Sequence, residues 1–115
     1  MPSVNRDFAN YDAVIAEIKR IAEQGAAQEF RASTLANVRD LIEVCRNRVP
    51  LPNFVGRGYY PTFILQWGFV QVEVFEEHLE VYHLKDGQTS IWYEEHNPGS
   101  IFSHRFIAEL AALNE

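Results

Sequence analysis

Residues 62–94 read TFILQWGFVQVEVFEEHLEVYHLKDGQTSIWYE, a run of β-branched and aromatic residues cut by short turn signals. That composition suits a pleated, half-buried surface, and the interruptions space it as a meander of antiparallel strands. Asp86-Gly87 is the strongest turn signal, because a type I′ turn needs positive φ at both central residues and this dipeptide tolerates it. A two-residue loop there sets Lys85 opposite Gln88, His83 opposite Ser90, Val81 opposite Trp92 and Leu79 opposite Glu94. Gly68-Phe69, read as a II′-type tip with Gly first, pairs Trp67 with Val70 and Leu65 with Val72. Glu77-His78, taken as the remaining tip, pairs Val74 with Val81 and Val72 with His83.

Side chains alternate along a strand, so these three bends send one set to a single face. The set is Phe63, Leu65, Trp67, Val70, Val72, Val74, Leu79, Val81, His83 and Trp92. This is the expected core face. The opposite face carries Ile64, Gln66, Phe69, Gln71, Glu73, Phe75, Glu80, Tyr82, Leu84, Thr89, Ile91 and Tyr93. A solvated antiparallel face is normally polar. This one is about half apolar, with aromatics set among carboxylates, and therefore calls for a cover.

Working outward, residues 11–24 place Val14, Ile15, Ile18, Ile21 and Ala22 at helical spacing, with Asn10 as N-cap and Gly25 as the stop. A second helix is expected over 34–47, capped by Ser33 and striped by Leu35, Val38, Leu41, Ile42 and Cys45. Phe30 is expected beneath the connection between them. Residues 49–61, VPLPNFVGRGYYP, form a Pro- and Gly-rich linker that crosses from helix to sheet in extended form. Beyond the strands, Asn97-Pro98-Gly99 marks a turn, and Ser103 can cap a final helix over 104–113 bearing Phe106, Ile107, Leu110 and Leu113. The expected fold is one α+β domain over residues 1–115: a four-stranded antiparallel meander, two N-terminal helices and one C-terminal helix in a two-layer sandwich.

The 115-residue length suits one core, and 47% hydrophobic with 23% charged residues is ordinary for a globular protein. One cysteine excludes an internal disulfide framework and fits a reducing compartment. Neither a signal peptide nor a membrane span is recognisable, so a cytoplasmic address with no membrane partner is expected. The net charge of −6 speaks against a nucleic-acid partner. Residues 1–50 hold seven acids and seven bases, whereas residues 51–115 hold nine acids against Arg57, Lys85 and Arg105. The negative field therefore belongs to the sheet half, where it would steer a basic partner.

Four histidines, His78, His83, His96 and His104, are the candidates for metal or acid–base chemistry. None stands in an HxxxH or HExxH pattern, and no metal, cofactor or catalytic set is expected. Glu94-Glu95-His96 brings carboxylate and imidazole to the end of the last strand, with Glu94 and His96 on one side. Gly56-Arg57-Gly58 could form a small anion nest. Cys45 lies in an apolar stripe that would raise its thiol pKa and leave it inert.

The residues Pro50-Leu51-Pro52, Leu65-Gln66-Trp67 and Val72-Glu73-Val74 resemble the corresponding parts of a group of short, uncharacterised bacterial α+β proteins. In that group a helix precedes a Pro-rich linker and a Leu-x-Trp strand. The resemblance departs at Gln66, where the group carries an acid. It implies an architecture and a bacterial source and transfers no functional residue.

Three functional readings follow from these residues. The first is a non-enzymatic interaction module, a homodimer or other homo-oligomer, using Phe69, Glu73, Phe75, Glu80, Tyr82, Ile91 and Tyr93 as its interface. The second is an acidic antitoxin- or immunity-type inhibitor of a partner with a basic surface. The third is a ligand binder or small enzyme with Arg57, Tyr59, Glu94 and His96 at a linker–sheet cleft.

Overall fold

All three bends of the 62–94 stretch form in the computed structural model, which describes residues 8–24 and 30–114. The fold is α+β with an antiparallel sheet and three helices. Its elements are α1 (Tyr11–Glu23), α2 (Ala32–Cys45), β1 (Phe54–Arg57), β2 (Phe63–Trp67), β3 (Val70–Val74), β4 (His78–Lys85), β5 (Gln88–Glu95) and α3 (His104–Ala112). The strands lie in the order β1-β2-β3-β4-β5.

The sheet has five strands rather than four. The additional one, β1, comes from the linker, where Phe54–Arg57 pairs with Phe63–Gln66. The segment is extended as expected, but its partner on β2 makes it a strand. Its alternation was masked by Gly56, which sits under the ring of Phe54 so closely that a Cβ there would collide with it. Pro50 and Pro52 lie just outside the paired residues, where a missing N–H costs nothing.

Two hairpins adopt the expected register. Trp67 faces Val70 across a tip whose Gly68 has φ +55. Lys85 faces Gln88 across Asp86 and Gly87, at φ +55 and +73, as a type I′ turn requires. The middle hairpin differs. Val74 faces Leu79 and Val72 faces Val81, so the tip is Glu76-Glu77 rather than Glu77-His78. Phe75 and His78 close this turn through the Phe75 N–H, which donates to the His78 carbonyl (2.9 Å), and through ring stacking at 4.4 Å. The correction shifts each pairing by two residues, so every side chain keeps its face.

The helices cover that face. Phe63, Leu65, Val72, Val74, Leu79 and Val81 are buried with Val14, Val38, Leu41, Ile42 and Phe106 in one cluster. Trp67 closes one end by donating its indole N–H to the Pro50 carbonyl (2.8 Å). Asn10 caps α1 by accepting from the Ala13 N–H, and Ser103 caps α3 by accepting from the Phe106 N–H. The stop expected at Gly25 lies outside the described residues. Helix α2 begins at Ala32, two residues before the expected start, and Ser33 is not its cap. The aromatic anchor decides the start here: Phe30 is buried and stacks on Phe63 at 4.5 Å, which sets the path into the helix. Asn47, expected inside α2, has φ +70 and ends it in the left-handed conformation common after a helix C-terminus. No described helix is long and apolar enough to cross a membrane.

Candidate interaction surface

The outer face is laid out in rows fixed by the strand pairing. One row runs Phe54, Gln66, Gln71, Tyr82, Ile91, and the next Gly56, Ile64, Glu73, Glu80, Tyr93. Phe69 joins this surface at one end, its carbonyl accepting from the Leu84 N–H (2.7 Å). Phe75 and His78 lie at the other end. Apolar residues span the face, with Phe54, Ile64, Phe69 and Phe75 on its β1–β3 part and Tyr82, Leu84, Ile91 and Tyr93 on β4 and β5.

Exposure divides the seven interface candidates. Phe69, Tyr93 and Ile91 are 66%, 65% and 49% exposed. Phe75, Glu80 and Tyr82 are half-buried, and Glu73 is buried. Glu73 and Glu80 stand directly opposite each other, an arrangement that like charges disfavour. Each carboxylate is drawn to a different partner. Thr62 donates its hydroxyl to Glu73, with Gly58 packed so near that a Cβ would strike both groups. Glu80 accepts from the Tyr82 hydroxyl (2.6 Å) and lies 3.2 Å from His78 Nε2. That hydrogen bond, followed by burial, raises the Tyr82 phenol above its ordinary pKa. Phe75 stacks on His78, which meets Tyr93 edge-on at 5.8 Å. The half-buried aromatics are thus held rigid, and the exposed ones stand on a stiff platform.

The four residues expected at a linker–sheet cleft do not converge. Arg57 and Glu94 end a single cross-strand row through Phe63, Val74 and Leu79. Four strand spacings separate them, roughly 19 Å. The Arg57 guanidinium lies 5.4 Å over the Phe30 ring, and Tyr59 is exposed in the following loop, edge-on to Tyr60. Glu94 is buried and accepts from the Ser103 N–H (2.7 Å) and hydroxyl (2.6 Å), fastening the start of α3 to β5. The glycine–arginine segment is part of β1 and its exit.

His96 has partners that the sequence order conceals. Its Nε2 lies 2.8 Å from Asp40 on α2, its Nδ1 lies 3.2 Å from the Ser100 hydroxyl, and its ring stacks on Phe102 at 4.0 Å. Carboxylate, imidazole and hydroxyl follow one another as in a hydrolytic relay. The surroundings assign them another task. Ser100 donates to the Asn97 carbonyl at 2.7 Å, and the Gly99 and Ser100 N–H groups are taken by Asp40 and Asn97. No donor among them is aimed at a developing oxyanion, which such chemistry needs. The cluster clamps the Asn97–Ser100 turn to α2. Asn37 adds to it, its Nδ2 lying 3.1, 3.0 and 3.2 Å from the carbonyls of Phe75, Glu76 and His96.

Two further candidates are engaged or enclosed within the fold, and His104 stands exposed at the start of α3. His83 is half-buried with Nε2 3.0 Å from Glu109. Cys45 is fully buried, and burial pushes its thiol up to about 12. Among the described residues no three His, Cys, Asp or Glu side chains come together as a metal site. A groove of about 780 Å³ between α2 and α3 is floored by Val44, Phe102, Ile107 and Ala108, but two of its rim acids are already engaged, Asp40 with His96 and Glu43 with Arg46. Comparison with protein-family models, curated proteins and solved structures gives no match for this chain.

Proposed function

We propose that this protein is a non-enzymatic interaction module that self-associates through its outer sheet face. The observation that carries the reading is the exposure of Phe69, Ile91 and Tyr93 on one side of a sheet whose other side holds all three helices. Aromatic side chains standing on a rigid base lose little conformational entropy when covered, which is why such residues dominate interface energetics. A contact of roughly 800 Å² per partner is of standard size for a specific complex.

Capture of a basic partner by the acidic half is the weaker reading, because Glu73 and Glu80 already have partners within the chain. The ligand-binding and enzymatic reading has less support, since Arg57 and His96 stand at opposite edges of the sheet.

The test is a double substitution, Phe69→Ser with Tyr93→Ser, followed by light scattering and thermal melting. The reading expects a halved mass and a chain that still melts cooperatively, at a temperature lowered only by the loss of the dimer's mass-action stabilisation. A mass identical to that of the unsubstituted protein counts against it.

A further inference from the structure

The two edges of the sheet are finished differently. Strand β1 has four residues, carries Arg57, and is bracketed by Pro50, Pro52 and Pro61. Prolines, charges and shortness are the usual devices that keep an edge from pairing. Strand β5 has eight residues, QTSIWYEE, with neither proline nor lysine, and its charges are confined to one end.

Hydrogen-bond direction along β5 follows from its hairpin. The pair that closes a two-residue loop is hydrogen-bonded, so Gln88 faces Lys85, and the alternation turns Ser90, Trp92 and Glu94 toward β4 as well. The same phase continues past the strand, where the His96 N–H donates to the Glu77 carbonyl (3.1 Å). Thr89, Ile91, Tyr93 and Glu95 therefore point their N–H and C=O groups outward. Among the described residues no backbone group beyond β4 receives them. The same four residues carry their side chains on the outer face, beside the exposed apolar patch.

We infer that β5 pairs antiparallel with β5 of a second copy about a two-fold axis, making one continuous ten-stranded sheet. This rests on the self-association proposed above but moves the contact from the face to its β5 border, where Ile91 and Tyr93 stand at the seam and Phe69 does not. A two-fold perpendicular to the sheet preserves faces, so outward residues of one copy must meet outward residues of the other. Two registers do this symmetrically near the strand centre. Centred on Ile91, the pairing sets Ile91 against itself and Tyr93 against Thr89 of the second copy. Centred on Trp92, it sets Ile91 against Tyr93. In both, Glu94 and Glu95 meet only uncharged residues between Gly87 and Ser90, so the carboxylates never oppose each other. The strand is self-complementary in backbone, and neither register sets like charges against each other. Main-chain bonds supply affinity in this mode, and Ile91 and Tyr93 supply an apolar seam.

The experiment is amide hydrogen exchange on the full chain, read residue by residue in dilute and concentrated samples, alongside light scattering. In the dimer, the Thr89, Ile91 and Tyr93 amides are expected to exchange about tenfold or more slowly than in dilute solution. Thr89→Pro removes an outward N–H without removing a β4–β5 hydrogen bond and should weaken the dimer, whereas Thr89→Val should not. A dimer whose three amides stay fast, or one unaffected by Thr89→Pro, overturns edge pairing while leaving a face-to-face contact standing. A monomer at every concentration overturns both.

Discussion

On the helix side of the sheet, Phe63, Leu65, Val72, Val74, Leu79 and Val81 are at most 1% exposed; on the other side of the same strands, Phe69, Tyr93 and Ile91 are half to two-thirds exposed. Alternation delivers apolar side chains to both faces, but amphipathic helices are supplied for only one. The helix side is also bolted at its margins by buried polar groups: Asn37 to three carbonyls, Asp40 to His96, and Glu94 to Ser103. On the outer side the polar groups tie neighbouring surface residues together and leave the aromatics unroofed. A face closed by its own chain supplies stability, and a face left open supplies association.

If that division is correct, substitutions on the two faces should differ in kind. Phe63→Ala should cost the most, about 3 to 5 kcal/mol of unfolding free energy in a denaturant titration, because it opens a cavity under Phe30. Asp40→Ala should cost about 2 kcal/mol by the same titration, since it strips the acceptor from a buried His96 and from the Gly99 N–H. Raising the pH weakens the helix side as well. The Cys45 thiol stays neutral in the fold up to about 12, whereas in the unfolded chain it ionises near 9. Its contribution is therefore complete below pH 9 and declines above it, by about 1.4 kcal/mol per pH unit. A melting temperature that does not fall between pH 9 and 11 would refute this sign. Gly87→Ala should cost about 1 kcal/mol, because it forces a Cβ into φ +73 at the β4–β5 turn. The smallest effect on the stability of the isolated monomer is expected for Phe69→Ser and Tyr93→Ser, within about 0.5 kcal/mol, although these should change the mass most.

How far the sequence revealed this arrangement depended on how local the determining forces are. The faces were legible because Gly68, Asp86 and Gly87 set two hairpins by φ alone. The middle hairpin has no glycine, so turn chemistry alone puts its tip one residue late; the Phe75–His78 stack, not a turn residue, locates it. Strand β1 was hidden by its length, its flanking prolines and Gly56, since four residues with one glycine show no alternation. Helix α2 starts ahead of Ser33 because Phe30 packing on Phe63 outweighs the capping preference of that serine. In the clamp around His96 the histidine and the following turn are legible in the sequence, but the part of Asp40 is not. Asp40 and His96 are 56 positions apart, and only the seating of α2 against the end of β5 brings them together. For the same reason Arg57 and His96, neighbours in an imagined cleft, lie at opposite edges.

The most direct test of the open outer face is the mass of the unsubstituted protein by light scattering across a dilution series. The account predicts a limiting mass of twice 13.3 kDa at high concentration, falling to 13.3 kDa on dilution. A mass of 13.3 kDa throughout the series would contradict it.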